Sequence, residues 1–363
     1  LVFSTDLQKA DVFFAMDSSG SMEGEISNLL SSLVSTVVPG IRAAIPDVWL
    51  GFGRFEECDS SYCSNDMKML QGMTVNETLV SNAIATVTST CGGWEPYTNM
   101  VHALCTGTVS VYSSWGGVGP TSWTCTPPGS IGWPCFRADA VPIIVQFGDE
   151  TFSESQSYCT PIKTHSQVVT AMNAIHAKYI GVNSGSSATD MRTIANGTGS
   201  VDGSGSALVF TIPSTGTGLG AQVVDAVTIL SNSIRIRVDA LAADDPSDSV
   251  NAVTAFINRI HTNTSGMSIW DPLVPAGTGS WRVCTAGLTT GSPSTLPTED
   301  YFSSVPSGTP VCFDIFPKMN TTVSPIATPQ IFKAYINVIG DTFTPLDSRD
   351  VYFLVPPVIP GGN

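Results

Sequence analysis

Short apolar runs alternate with amphipathic stretches over roughly the first 238 residues of the chain. The apolar runs are strand-like and occupy residues 12–16, 48–55, 141–147, 179–182 and 207–212. Between them, apolar residues recur at three- and four-residue spacing, as in helices, over 23–45, 76–88, 99–106, 165–177, 188–196 and 219–233. Because runs such as 141–145 indicate burial on both faces, the pattern predicts a largely parallel sheet with helices on its faces.

The pattern changes from residue 234 onward. Apolar and polar residues alternate at 234–238 and 311–316, and turns rich in Pro, Gly and Ser separate the runs. Further strands are predicted at 330–338 and 350–355, while 253–259 fits either a strand or a helix. This part predicts an all-β sandwich. We therefore divide the chain into an α/β domain at residues 1–236 and a β-sandwich domain at residues 237–363.

Composition and charge restrict the partners of the protein. Only 12% of the 363 residues are charged, against about 25% in an average soluble protein, so the surface consists mostly of hydroxyl and amide groups. The net charge is −15, which repels phosphate backbones and anionic membranes and attracts cations. We expect no nucleic-acid partner. No apolar run approaches the ~20 residues of a membrane-spanning helix, so no transmembrane segment is predicted in this chain.

The nine cysteines predict disulfide bonds. Several form short pairs among turn residues, such as Cys58/Cys63 and Cys125/Cys135, without the Cys/His spacing of a zinc site. Disulfides persist in oxidising compartments, so the pattern predicts an extracellular or cell-surface protein with at least one cysteine left over. We expect Cys58–Cys63 to close a local loop and Cys284–Cys312 to join two strands of the second domain.

A loop of oxygen-bearing side chains follows the first predicted strand. Asp17, Ser19 and Ser21 supply one carboxylate and two hydroxyls at alternate positions. Such oxygens suit Mg²⁺, or else Ca²⁺ or Mn²⁺, and a single carboxylate leaves the ion able to bind a further anion. Serine-rich loops before helices also act as N-caps. The position at the carboxyl end of a buried strand favours the metal site, because open α/β sheets bind ligands at that edge.

Asp17, Ser19 and Ser21 match, without a gap, the first metal-site motif of von Willebrand factor A domains. The chain resembles this family over roughly residues 11–233, and its motif pattern is most similar to the I-like domain of integrin β subunits. Residues 50–55 resemble the family's second strand. The resemblance implies a Rossmann-like fold and a divalent cation that coordinates an acidic residue of a ligand.

The resemblance also implies further residues at the metal. Glu95 matches the glutamate of the second integrin loop, with Thr98 as the alternative, and Asp149 matches the carboxylate of the third loop. Glu25 lies where integrin β subunits have one of two acids for an adjacent regulatory cation, but the other position is Gly24. The resemblance therefore implies one complete metal site and an incomplete adjacent one.

Three further expectations come from the same alignment. Residues 58–63 match the cysteine-bearing specificity loop, Cys105 could pair with Cys159, and helix 219–233 matches the element that couples conformation to the metal site.

Together, these features predict a metal-ion-dependent adhesion or ligand-binding module at the cell surface, whose partner is a protein or surface ligand that presents a carboxylate. The alternative is a structural subunit of a surface filament or extracellular assembly, whose partner would be another copy of the same protein. No enzyme is predicted, because none of the four histidines accompanies a nucleophile signature and no nucleotide-binding loop occurs.

Overall fold

The computed structural model describes residues 1–56, 67–89, 96–108, 125, 129–152, 161–271, 278–292 and 295–358. The chain divides into two compact units. The α/β unit comprises Gln8–Ile234, and the β unit comprises Leu1–Leu7 together with Arg235–Asn363. The sequence-based division placed residues 1–7 in the first domain. They lie in the β unit instead, because Val2 and Phe3 pair with a strand of that unit.

The chain begins with strand β1 (Val2–Phe3) of the β unit and then enters the α/β unit. The strands of the α/β unit are β2 (Lys9–Asp17), β3 (Asp47–Phe55), β4 (Met67–Thr74), β5 (Val141–Gly148), β6 (Lys178–Asn183) and β7 (Val209–Thr211). Its helices are α1 (Glu23–Ser32), α2 (Val38–Ala44), α3 (Glu77–Ala85), α4 (Tyr97–Thr106), α5 (His165–Ala174), α6 (Ala188–Gly197) and α7 (Leu219–Ser233). A π-helical segment, Leu33–Val37, joins α1 to α2, so the helix predicted over 23–45 is present with an irregular middle.

The six strands of the α/β unit form one sheet in the order β4-β3-β2-β5-β6-β7. All neighbours are parallel except β3 and β4. If the six strands are numbered 1 to 6 in chain order, this is the doubly wound order 3-2-1-4-5-6. In such sheets, ligands bind at the carboxyl ends of the strands where the order reverses. The predicted Rossmann-like fold, a mostly parallel sheet with helices on its faces, is therefore confirmed. The order reverses between β2 and β5, so the residues that follow these two strands occupy the expected binding edge.

Burial explains why this edge is firmly held. Nearly every residue of β2 and β5 is buried, because helices cover both faces of the sheet. Helix α4 is itself largely buried, and its Asn99 side chain accepts a hydrogen bond from Lys163 N (2.7 Å) and donates one to Pro161 O (3.1 Å). These contacts fix the start of α4 beneath the carboxyl ends of β2 and β5.

Within the described ranges, no helix has the length and apolar character required to cross a membrane.

The β unit contains antiparallel sheets, as the alternating sequence pattern predicted. After β1, its elements are β8 (Arg235–Asp244), α8 (Ala252–Phe256), β9 (Ile257–Asn263), β10 (Ser268–Asp271), β11 (Ser280–Val283), β12 (Thr290–Gly291), β13 (Tyr301–Pro306), β14 (Val311–Pro317), β15 (Gln330–Gly340) and β16 (Thr344–Val355). The sheets have the orders β12-β13-β8-β15-β16, β1-β14-β9 and β10-β11. Phe302 of β13 packs against Phe313 of β14 (centroids 5.3 Å apart), so the two larger sheets share a core. In the ambiguous stretch 253–259, residues 253–256 belong to helix α8 and residues 257–259 belong to strand β9.

The described cysteines settle part of the disulfide prediction. Cys284–Cys312 is present and fastens the residue after β11 to β14, and Cys125–Cys135 is also present. Cys105 is a buried free thiol, so its predicted pairing is wrong. Its supposed partner Cys159, and both members of the predicted pair Cys58–Cys63, lie outside the described residues.

Candidate functional site

The loop after β2 brings the first three predicted residues together. Asp17 is buried, and its Oδ1 accepts a hydrogen bond from Ser19 N at 2.8 Å. The Ser19 and Ser21 hydroxyl oxygens lie 3.2 Å apart. Ser19 precedes a 3-10 turn, Gly20–Met22, but its side chain makes no capping hydrogen bond. The N-cap explanation of Ser19 therefore lacks its defining contact, and the two hydroxyls form a hydrogen bond with each other instead.

Tyr97, the first residue of α4, connects the loop after β2 to the loop after β5. Its hydroxyl donates a hydrogen bond to Asp17 Oδ2 and accepts from Asp149 N and Glu150 N, both at 3.3 Å. The ring is buried and stacks on Phe152, with centroids 4.4 Å apart. A Cβ on Gly148 would lie 2.1 Å from a Tyr97 ring carbon, so only glycine allows this approach. The sequence pattern did not single out Tyr97, although it lies between Glu95 and Thr98, the two candidate ligands of the second loop.

Two carboxylates beside this loop lack hydrogen-bond partners among the described residues. They are Asp149, through its buried Oδ1, and Glu25, through both of its buried carboxylate oxygens. Burial raises the pKa of Glu25. The Ser184 hydroxyl, which lies near the carboxylate without the geometry of a hydrogen bond, opposes this shift, and the charge of Asp149 adds to it. Burying polar oxygens without partners costs about 1 to 3 kcal/mol each. A bound cation would remove that cost.

The structure explains why the adjacent integrin-like acid is absent. A Cβ on Gly24 would lie 2.7 Å from the carbonyl carbon of Thr215 and 2.8 Å from its oxygen. The side chain of Asn28 holds the two segments together, because its Nδ2 donates to Gly24 O and to Thr215 O, both at 2.9 Å. No acidic side chain fits at position 24 while the loop before α7 is packed there. Position 24 therefore supplies no second acid beside Glu25 for the adjacent site.

The remaining predicted ligands divide between described and undescribed parts of the chain. Thr98 is buried as the second residue of α4, next to Tyr97. Glu95 lies outside the described residues. In the part of the chain that the structure describes, no three or more His, Cys, Asp or Glu side chains are grouped as metal ligands. A cation at this edge would therefore be coordinated by the Ser19 and Ser21 hydroxyls and by few carboxylates. Such a set of oxygen ligands fits Mg²⁺ or Ca²⁺.

A buried ionic network supports the loop from the side of β3. Ser18 N donates to Phe55 O at 2.9 Å, and Ser18 Oγ lies 3.0 Å from Glu56 Oε1. Arg54 forms an ion pair with Glu56 and also donates to Ser18 Oγ at 3.2 Å. The network fixes Ser18, so the side chains on either side of it are held in place. Ser18 lies within the first predicted loop and Arg54 within the predicted second strand, but the sequence pattern did not predict their ionic contact with Glu56.

We expect Tyr97→Phe to lower the free energy of unfolding by about 1 to 3 kcal/mol in chelator, because Asp17 loses a buried hydrogen-bond donor. The loss should be smaller in excess Mg²⁺, since a cation would compensate the same carboxylate. Urea unfolding in both conditions measures the difference. Thr262→Val is the matched control: its buried hydroxyl donates to the Asp300 carboxylate at 2.9 Å within the β unit, so its loss should be equal in both conditions. Equal losses for Tyr97→Phe would contradict a cation at Asp17.

Comparison with known proteins adds little beyond the strand order. No protein-family model and no curated protein matches the chain. Among solved structures, a von Willebrand factor type A protein from Catenulispora acidiphila is similar over 97% of this chain and 72% of its own, with a TM-score of 0.41 and 6% identity. Proximal thread matrix protein 1 from the mussel byssus is similar in two crystal structures, with TM-scores of 0.37 and 0.38 and identities of 14% and 13%. These cover 67% and 68% of this chain and 51% and 50% of theirs. At such scores the fold assignment rests on the strand order.

Proposed function

We propose that the protein is a metal-ion-dependent adhesion or ligand-binding module, in which a divalent cation held at Asp17, Ser19 and Ser21 coordinates an acidic residue of the ligand. Either Glu95 or Thr98 would add the ligand from the second loop, and Asp149 would contribute from the third. When bound, the cation supplies the positive charge that a ligand carboxylate requires. The protein's own part is to hold the oxygens in place.

One observation carries this proposal: Glu25 and Asp149, beside the Asp17 loop at the edge where the strand order reverses, have buried carboxylate oxygens without a hydrogen-bond partner among the described residues. The chain's net charge of −15 also favours cation capture. The two disulfides support an extracytoplasmic location, because such bonds persist in oxidising compartments. The proposal involves binding without catalysis.

The adhesion function is tested with a panel of immobilised extracellular proteins, each prepared with its side-chain carboxyls intact or amidated. We expect binding that requires Mg²⁺, disappears in chelator and is lost when the ligand carboxyls are amidated. Sedimentation velocity of the pure protein in both conditions should show an unchanged monomer. Binding that survives both chelator and amidation would contradict the proposal.

The alternative, a structural subunit of a surface filament or extracellular assembly, predicts a different result. Cation-dependent self-association in the sedimentation experiment, without carboxyl-dependent binding to the panel, would favour assembly. Asp17→Ala provides the control in both cases, because it removes the carboxylate of the first loop and leaves the rest of the surface unchanged.

A further inference from the structure

The start of helix α6 holds the loop after β5 by its backbone. The Ser187 hydroxyl, just before α6, donates a hydrogen bond to Gly148 O at 2.9 Å. Asp190, in the first turn of α6, accepts a hydrogen bond from Phe152 N through its Oδ2, also at 2.9 Å. The described part of the loop, residues 148–152, is therefore fastened near both of its ends to the same segment.

Between these two points, the segment before α6 lies directly against Asp149. The Ser186 hydroxyl donates to Asp149 O at 3.1 Å. A Cβ on Gly185 would lie 2.3 Å from the same oxygen, so a side chain at position 185 would displace the Asp149 backbone. The position of the candidate third-loop ligand is thus set by residues that precede α6.

Asp190 also supports the ring of Phe152. Its Oδ1 lies 3.2 Å from Nε2 of His165, the first residue of α5. The Phe152 ring is nearly parallel to the His165 ring (5°, centroids 5.9 Å apart) and to the Tyr97 ring (14°, 4.4 Å). One oxygen of Asp190 therefore holds the Phe152 backbone, and the other contacts a ring that stacks on Phe152.

The stack leads to the loop after β2, because the Tyr97 hydroxyl donates to Asp17 Oδ2. We propose that Asp190 is a positioning residue for the cation site. It holds Phe152 against the Tyr97 ring, and Tyr97 in turn holds the Asp17 carboxylate in one orientation. The inference rests on the proposed function, since it concerns the carboxylate that would bind the cation.

The length of this chain of contacts sets the size of the expected effect. Removing a group that contacts a metal ligand typically lowers metal affinity about 10- to 100-fold. Asp190 acts through two intervening residues, so Asp190→Ala should weaken Mg²⁺ binding less, by about three- to tenfold. Asp190→Asn keeps an oxygen that can accept from Phe152 N and should bind Mg²⁺ nearly as tightly as the wild type. Both variants lose the same negative charge, so rescue by asparagine separates positioning from a long-range effect of charge.

The test follows the Tyr97 ring by fluorine NMR in the full chain labelled with 3-fluorotyrosine. The Tyr97 signal is the one that disappears in Tyr97→Phe. In chelator, Asp190→Ala should shift or broaden this signal, and Asp190→Asn should leave it in place. Calorimetric titration of Mg²⁺ into the same variants, prepared without the label, measures the change in affinity.

Asp244→Ala is the matched control. Its carboxylate also accepts a hydrogen bond from a backbone N–H, that of Ala252 at 2.7 Å, but within the β unit. We expect this variant to leave both the Tyr97 signal and the Mg²⁺ affinity unchanged.

Phe152→Leu tests the same chain of contacts one step closer to Tyr97. It keeps the backbone N–H and an apolar side chain and removes only the stacked ring. The variant should shift the Tyr97 signal and weaken Mg²⁺ binding at least as much as Asp190→Ala, and it decides the question if Asp190→Ala fails to fold.

Two outcomes would overturn the proposal. They are a Tyr97 signal that stays unchanged in chelator in a folded Asp190→Ala or Phe152→Leu variant, and equal losses of Mg²⁺ affinity in Asp190→Ala and Asp190→Asn. A wild-type protein that binds no Mg²⁺ would refute the proposed function instead. The spectra in chelator would then still decide whether Asp190 positions Tyr97.

Discussion

Mg²⁺ binding by the Asp17→Ala variant should fall below detection in calorimetric titration, while circular dichroism shows a retained fold. Asp17 supplies the carboxylate of the first loop, and water cannot replace its charge. The side chain lies at the end of β2, where its hydrogen bonds include those with Ser19 N and the Tyr97 hydroxyl, and we expect the sheet beneath to keep its packing. In Mg²⁺ at 100 times its Kd, the variant should also lose the cation's stabilisation of about 2.7 kcal/mol.

The chain contains its own control for this experiment. Asp202, Ser204 and Ser206 repeat the same spacing in a surface turn, where Asp202 Oδ1 accepts from Ser204 N (2.8 Å), Ser204 Oγ (2.6 Å) and Ser206 N (2.9 Å). Asp202 Oδ1 is therefore already occupied by hydrogen bonds within the turn, and Asp202→Ala should bind Mg²⁺ like the wild type. Unchanged affinity in Asp17→Ala would refute the metal-dependent function.

The remaining candidate ligands are ranked by the same titration. Ser19→Ala and Ser21→Ala should weaken Mg²⁺ binding less than Asp17→Ala, because water can take the place of a neutral hydroxyl. Glu95→Ala should resemble Asp17→Ala if Glu95 is the second-loop ligand. If Thr98 is the ligand instead, Thr98→Ala should show the larger loss.

The two similar serine motifs show what the sequence could predict and why. The spacing alone does not distinguish Asp17 from Asp202. The neighbouring pattern does, because Asp17 ends a buried apolar run and Asp202 lies in a stretch rich in Gly and Ser. The parallel sheet follows from the same kind of information, because short runs buried on both faces and separated by amphipathic helices favour it. The edge that carries the candidate site was therefore predictable.

Contacts between distant segments were not predictable from local pattern. Tyr97 reaches Asp17 across 80 residues of sequence, and its neighbour Gly148 matters only because the Tyr97 ring lies against it. Strand β4 was missed because its sequence, Met-Lys-Met-Leu-Gln-Gly-Met-Thr, alternates weakly and it pairs at the sheet edge with bulges. Residues 1–7 were assigned to the wrong unit for the same reason: their pairing partner lies more than 300 residues away.

Gly24 illustrates a limit of transferring a motif between families. The sequence showed only that an integrin acid is replaced by glycine. The structure supplies the physical reason, since the backbone of Thr215 occupies the space of any side chain at position 24. The substitution is therefore a packing requirement of this chain, and it leaves Glu25 without the second acid of the adjacent site.

Arg137→Ala should produce the largest loss of stability in the α/β unit. Arg137 is buried; its Nε donates to Asp11 Oδ1 at 2.8 Å, its backbone N donates to Asp11 Oδ2 at 2.5 Å, and its Nη1 donates to Asp47 at 2.7 Å. Its guanidinium also lies 4.8 Å from the centre of the Trp49 ring. Asp11 is fully buried, so truncation leaves an uncompensated carboxylate, which typically costs about 3 to 5 kcal/mol.

The pH dependence of this loss gives a second, independent readout. Burial raises the pKa of Asp11 to about 6 in the folded protein, and Arg137 opposes that shift, so its removal raises the pKa further. A carboxyl with a raised folded pKa contributes stability that is present at low pH and lost as pH rises through that pKa. The deficit of Arg137→Ala relative to wild type should therefore be largest at pH 7 and smaller at pH 5 in urea unfolding. Lys9→Ala is the control, because its ion pair with Asp139 is partly exposed and should contribute at most about 1 kcal/mol. A deficit at pH 7 no larger than that of Lys9→Ala, or one that grows as the pH falls, would show that Arg137 does not stabilise a buried Asp11 carboxylate.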